Sequence, residues 1–79
     1  MNITQGSIVR SKAGRDKDKF LVVAFLDGKY AYVCDGKERP IERPKKKNLL
    51  HLSPTSRSIP VEEIKTNREL KTLLKEFNS

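Results

Sequence analysis

The sequence predicts a mostly β domain completed by one C-terminal α-helix. Three observations predict it. The run Phe20-Leu21-Val22-Val23-Ala24-Phe25-Leu26 is β-branched and aromatic, and too short for a typical helix. Asp27-Gly28 and Asp35-Gly36 follow. Asp-Gly between β-runs marks a hairpin, because a type I′ turn needs positive φ at both central residues. Leu70, Leu73, Leu74 and Phe77 then recur at i, i+3, i+4 and i+7, a single helical stripe.

The elements fall in order. Ser7 to Ser11 reads as a first strand carrying Ile8 and Val9, and Lys12 to Lys19 as a polar loop. Phe20 to Leu26 is the second strand, apolar enough to be covered on both faces. The two Asp-Gly turns then predict a meander through Lys29–Cys34 and Lys37–Arg43. In its middle strand Tyr30, Tyr32 and Cys34 share one face while Ala31 and Val33 share the other. Pro40 cannot donate to a ladder, so Lys37–Arg43 should be an edge strand, bulged or broken there. Pro44-Lys45-Lys46-Lys47 reads as a compact cationic loop. Asn48–Leu52 is a last short strand, with Leu50 and Leu52 on one side, Leu49 on the other, and His51 turned from the core.

From Ser53 the character changes. Residues 53–65 read as an extended, exposed connection, with Ile59, Val61 and Ile64 as anchors. Thr66-Asn67-Arg68-Glu69 has capping-box spacing and starts a helix over 66–77. An isolated helix of about 12 residues is marginal in water, so it should pack on the β-structure of residues 1–52, giving one domain.

Composition narrows the function. Seventy-nine residues support a single domain, which buries only about 60% of the surface its unfolded chain exposes. That leaves little room for an enclosed active site with its supporting shell. The longest apolar run is far below the roughly 20 residues that cross a bilayer, and Met1–Lys12 lacks the apolar core of a signal peptide. The expected compartment is the cytoplasm. Cys34 is the only cysteine and His51 the only histidine. They make neither an internal disulfide nor a zinc site. Cys34 reads as a small core hydrophobe and His51 as a surface residue. Nothing forms a paired-acid, triad or metal constellation, so the chain reads as a non-enzyme without metal, cofactor or small-molecule substrate.

Charge is the positive signal. The chain carries 17 Lys and Arg against 10 Asp and Glu, a net charge of +7. Residues 1–52 hold 12 of the cations against 6 of the acids. The cations gather in two places, Lys12–Lys19 and Lys37–Lys47. Arg side chains can fork onto phosphate oxygens and Lys act as point charges, which is what binding a phosphate backbone requires. The candidate contacts are Lys12, Arg15, Lys17, Arg39, Arg43, Lys45, Lys46 and Lys47. Tyr30 and Tyr32, on one face, read either as a base-stacking platform or as packing beneath the helix.

These residues carry a family resemblance. Gly6-Ser7-Ile8-Val9-Arg10-Ser11-Lys12-Ala13-Gly14-Arg15-Asp16-Lys17 resembles the start of a KOW motif, as found in ribosomal and transcription-elongation proteins. Ala13–Lys17 with Phe20–Val23, then Val33-Cys34-Asp35-Gly36-Lys37, then Pro44–Asn48 through His51-Leu52, are similar to small bacterial KOW-domain RNA-binding proteins. Those are related to the archaeal and eukaryotic large-subunit ribosomal protein fourteen-e. The match spans about Gly6–Leu52, and the Thr66–Phe77 helix resembles the tail of the bacterial members. The resemblance implies a small SH3-like antiparallel β-barrel of KOW type over residues 1–52. It implies a protein that binds structured RNA, ribosomal RNA first; the chain is expected as a monomer in the cytoplasm or on the ribosome, with ribosomal proteins as possible further partners. It places Gly14 at the motif glycine and Arg15 and Lys17 on an RNA-facing loop. Asp18 departs from the pattern: family members often have a second glycine there, and the acid lowers the local positive potential. The alternative is a protein-interaction module docking on a ribosomal, transcription or chaperone partner through the C-terminal helix or an edge strand.

Overall fold

Antiparallel pairing gathers five segments of the chain into one sheet of order β4-β3-β2-β1-β5. The computed structural model describes residues 3–78. The strands are β1 (Ser7–Ser11), β2 (Phe20–Asp27), β3 (Tyr30–Cys34), β4 (Lys45–Asn48) and β5 (Leu52–Ser58), followed by helix α1 (Asn67–Asn78).

Alternation along β2 feeds two apolar clusters, as the unbroken apolar run predicts. Leu21 and Val23 join Val9, Ala31, Val33 and Leu52 on one face, with Ile3 and Leu49 against them. Val22 joins Ile8 and Cys34 on the other, where Leu70 and Leu74 of α1 complete the cluster. Each of those leucines contributes about 1.5–3 kcal/mol by leaving water. Leu73 sits off this stripe and is exposed, unlike the fourfold pattern expected of it. The capping box forms. Thr66 Oγ1 accepts from the Glu69 backbone N–H at 3.1 Å, and Glu69 Oε1 accepts from that of Thr66 at 3.1 Å. At the far end the Asn78 side chain accepts from the backbone N–H of Phe20 at 2.8 Å, fastening α1 to the start of β2.

Four local expectations are corrected. The β2–β3 turn is displaced by one residue, because Asp27 pairs with Tyr30. Its central residues are Gly28 and Lys29, and only Gly28 has positive φ, the sign pattern of a II′ turn. Asp35-Gly36 makes no hairpin, and Lys37–Arg43 is not a strand. Asp35 Oδ1 accepts the backbone N–H groups of Lys37 and Arg39, winding the segment into turns between β3 and Pro44. Lys45–Lys47 is a strand instead of a loop. Asn48–Leu52 is not a strand: Leu49–His51 form a 3₁₀ turn capped by the Asn48 side chain. Leu50 is therefore exposed, while Leu49 and Leu52 go to the core.

Residues 52–58, read as the start of a connection, form edge strand β5 on β1. Pro54 is tolerated there because an edge strand leaves one row of backbone groups unpaired. The register shifts between Ser7 and Val9, and the Thr55 hydroxyl donates to the Ile8 carbonyl at 2.7 Å. Ile59, Val61 and Ile64 anchor the rest of the connection to the α1 cluster.

Candidate nucleic-acid interface

Loop 12–19 is built around a buried ion pair. Lys47 lies opposite Ala31 in the β3–β4 ladder and so points to the face of the first apolar cluster. Its ammonium donates to Asp16 Oδ1 at 2.7 Å, Ser11 Oγ at 2.8 Å and the Ala13 carbonyl at 2.9 Å. Three donors meet three acceptors, and both charged side chains are more than nine-tenths buried. Asp16 Oδ2 is buried without a hydrogen-bond partner. Burial pushes the Asp16 carboxyl up, but hydrogen bonds from Lys47 and Ser11, with the charges of Lys47 and Lys45, outweigh it and hold the group below its ordinary value. Lys47, expected among the RNA contacts, is thus withdrawn from the surface. It holds the loop that presents its neighbours.

Gly14 stands beside this pair at φ +86°. An added Cβ would meet only ordinary contacts there, so the left-handed backbone is what calls for glycine. Asp18 also lies at positive φ, +70°, the only described non-glycine residue that does. That backbone conformation favours glycine, so an aspartate there is strained. Its carboxylate pairs with Arg10 at 2.8 Å.

The two basic segments meet. Arg15, Asp16 and Lys19 of the first loop and Asp35, Glu38 and Arg39 of the second line one cleft. Lys19 bridges to Glu38 across it at 3.0 Å. That bond holds the Glu38 carboxyl below, and the Lys19 ammonium above, their ordinary values. Both groups are solvated, so the bridge registers the loops more than it stabilises them. Lys17 and Arg43 are exposed and Lys45 half-exposed. Lys12 stands apart, over a groove with Ile3, Leu49 and Leu50. The second loop is set by α1: Asn67 accepts from the backbone N–H of Ile41 at 2.7 Å and donates to Glu42 at 2.9 Å. Gly36 packs so closely on Asn67 that a Cβ would collide with its carbonyl.

A third region emerges at the hairpin end. Tyr32 stacks on Phe25, with centroids 4.3 Å apart and planes 16° from parallel. Lys46 lies over the Tyr30 ring at 4.3 Å and Lys29 at 5.8 Å. Tyr30 and Tyr32 share the face of Cys34, the α1 face, but α1 covers the other end of it. Phe25 was legible only as core. A register shift between Val23 and Phe25 turns it to the outside, where it is 45% exposed.

Among the described residues no group of His, Cys, Asp and Glu could hold a metal ion, and no helix is long and apolar enough to cross a membrane. Cys34 is buried and free, its thiol pushed up to about 11 by burial and by the charges of Asp35 and Glu42. No protein-family model matches the chain, and no curated protein matches it.

Proposed function

We propose that this chain is a cytoplasmic, non-enzymatic RNA-binding protein that contacts structured RNA, ribosomal RNA first, through the basic loops of a KOW-type, SH3-like barrel. One observation carries the reading: Arg15 and Arg39, from segments more than twenty residues apart, line the same cleft. Two separate runs of charge thereby meet at one cleft, where Asp16, Asp35 and Glu38 offset part of the charge and Arg15 and Arg39 are the cations offered to phosphate. The barrel is supported by burial. Val9, Leu21, Val23, Ala31 and Val33 are fully buried on the face away from α1. A flat sheet would leave that face wet, whereas a curled one covers it with its own strands. The contacts are Arg15, Lys17, Arg39, Arg43, Lys45 and Lys46, with Lys12 to one side.

Neutralising about six phosphates sets the log–log salt slope at roughly −4 to −5. Filter binding to a structured RNA at several salt concentrations tests this. Micromolar or tighter binding with a steep slope is expected, and no retention at low salt overturns it. Docking of a protein through α1 has less to rest on, because Leu70 and Leu74 are used on the chain's own sheet.

A further inference from the structure

We propose that Phe25, Tyr30 and Tyr32, with Lys46, form a stacking site for unpaired nucleobases, so that the preferred RNA carries a loop or bulge as well as a helix. This rests on the RNA-binding reading and names what that RNA must contain. Four observations carry it. Phe25 would lie in phase with the buried Leu21 and Val23 in a regular strand; the register shift beside it sends the ring outward instead. The ring there extends a near-parallel aromatic stack with Tyr32. Among the described residues no helix covers this end of the face, and Phe25 is exposed. The charge beside the rings is positive on balance: Lys46 and Lys29 stand over Tyr30, against the one acid Asp27 opposite it in the ladder.

Each feature suits one occupant. A flat π-surface continues an aromatic stack whatever the base, and the ammonium groups reach the phosphates joining stacked nucleotides. Paired bases are already stacked and keep their faces from the protein, so this site takes single-stranded RNA. Strand β3 joins the two regions: Tyr30 and Tyr32 lie on it and Asp35 of the cleft follows it directly. At about 3.3 Å per residue, rings and cleft stand on the order of 10–15 Å apart. One RNA can put its helix backbone on the cleft and its loop on the rings.

The chain supplies its own probe. It has two tyrosines and no tryptophan, and both tyrosines are in this site. Tyrosine emission of the full chain is titrated with an RNA hairpin carrying a loop of unpaired adenosines, and with the same stem as a blunt duplex. Retention of each on filters is measured alongside. The expected result is retention of both RNAs, with emission quenched by the looped hairpin alone. Phe25→Leu, which keeps an apolar side chain but loses the π-face, should weaken the looped hairpin roughly tenfold and leave the duplex and the salt slope unchanged. Retention of the looped hairpin without quenching, equal quenching by the duplex, or unchanged affinity in Phe25→Leu overturns the stacking site and leaves phosphate binding standing. Retention of neither RNA overturns both readings. The wild-type emission result does not depend on how any variant folds.

Discussion

Strand β4 sends adjacent lysines to two regions that use charge in opposite ways. Lys47 turns inward to Asp16, Ser11 and the Ala13 carbonyl, where every ammonium donor is consumed. Lys46 turns outward over Tyr30, where its charge stays in water. Buried charge of this kind sets conformation: it fixes the loop that carries Arg15 and Lys17. Solvated charge beside an exposed ring contributes little to folding and remains available to a partner. Seven net positive charges are therefore not seven equivalent handles.

Breaking each lysine separately tests the comparison. Lys47→Met leaves the Asp16 carboxylate buried without its cation, a loss of about 3–5 kcal/mol. For a domain of this size the melting temperature should fall by roughly 12 °C or more. Lys46→Met should change stability by less than about 1 kcal/mol. Urea unfolding of both variants reads the contrast, and equal losses would remove the distinction between the regions.

Acid probes the same pair without mutation. The folded Asp16 carboxyl lies below its ordinary value of 3.8. Its contribution is thus fully present above that value and is lost as pH falls through the lower folded value. The urea midpoint should drop below about pH 4 in the wild type. In Lys47→Met burial is opposed only by Ser11 and the charge of Lys45, so that part of the acid dependence should shrink or reverse.

The glycines at the two ends of β3 extend the contrast to the backbone. Gly36, at the anchored end, has φ +80° and packs against the Asn67 carbonyl; Gly28, at the aromatic end, has φ +60° and open space around it. Gly28→Ala should cost about 1–2 kcal/mol for the left-handed backbone alone. Gly36→Ala adds a collision with α1 and should cost more, about 3 kcal/mol, and should loosen the loop carrying Arg39. Thermal unfolding of the pair checks the order.

What could be read in advance follows the same division. The apolar run of β2, the first strand, the capping box and the Leu70–Leu74 stripe were legible because periodicity reports burial directly. Ser53–Ser58 was not, since an edge strand of Ser, Pro, Thr and Arg has no apolar alternation to display. Asp35-Gly36 has the chemistry of a hairpin turn, yet the Asp35 carboxylate takes the Lys37 and Arg39 N–H groups instead, and Gly36 packs on Asn67, far along the chain. Of the candidate contacts, Arg15 and Arg39 come together, while Lys47 leaves the group. Three consecutive lysines look alike until pairing opposite Ala31 gives one of them an inward direction. Phe25 was hidden for the converse reason: a one-residue register shift reverses a face, and nothing in an unbroken apolar run marks where it falls.

The smallest expected effect on stability comes from Asp18, the acid within the anchored loop. Its φ of +70° favours glycine, so Asp18→Gly removes a strain of about 1 kcal/mol. It also removes the ion pair to Arg10, in which both side chains are substantially exposed and whose loss costs about 0.2–1 kcal/mol. The two nearly cancel, and the melting temperature should move by no more than a few degrees. RNA affinity should respond more visibly. Deleting the acid frees Arg10 and raises the potential beside Arg15 and Lys17, so binding at low salt should strengthen severalfold and the gain should fade as salt screens it. A gain that persists undiminished at high salt would instead point to a reshaped loop, and would assign the strained backbone, not the charge, as what Asp18 contributes.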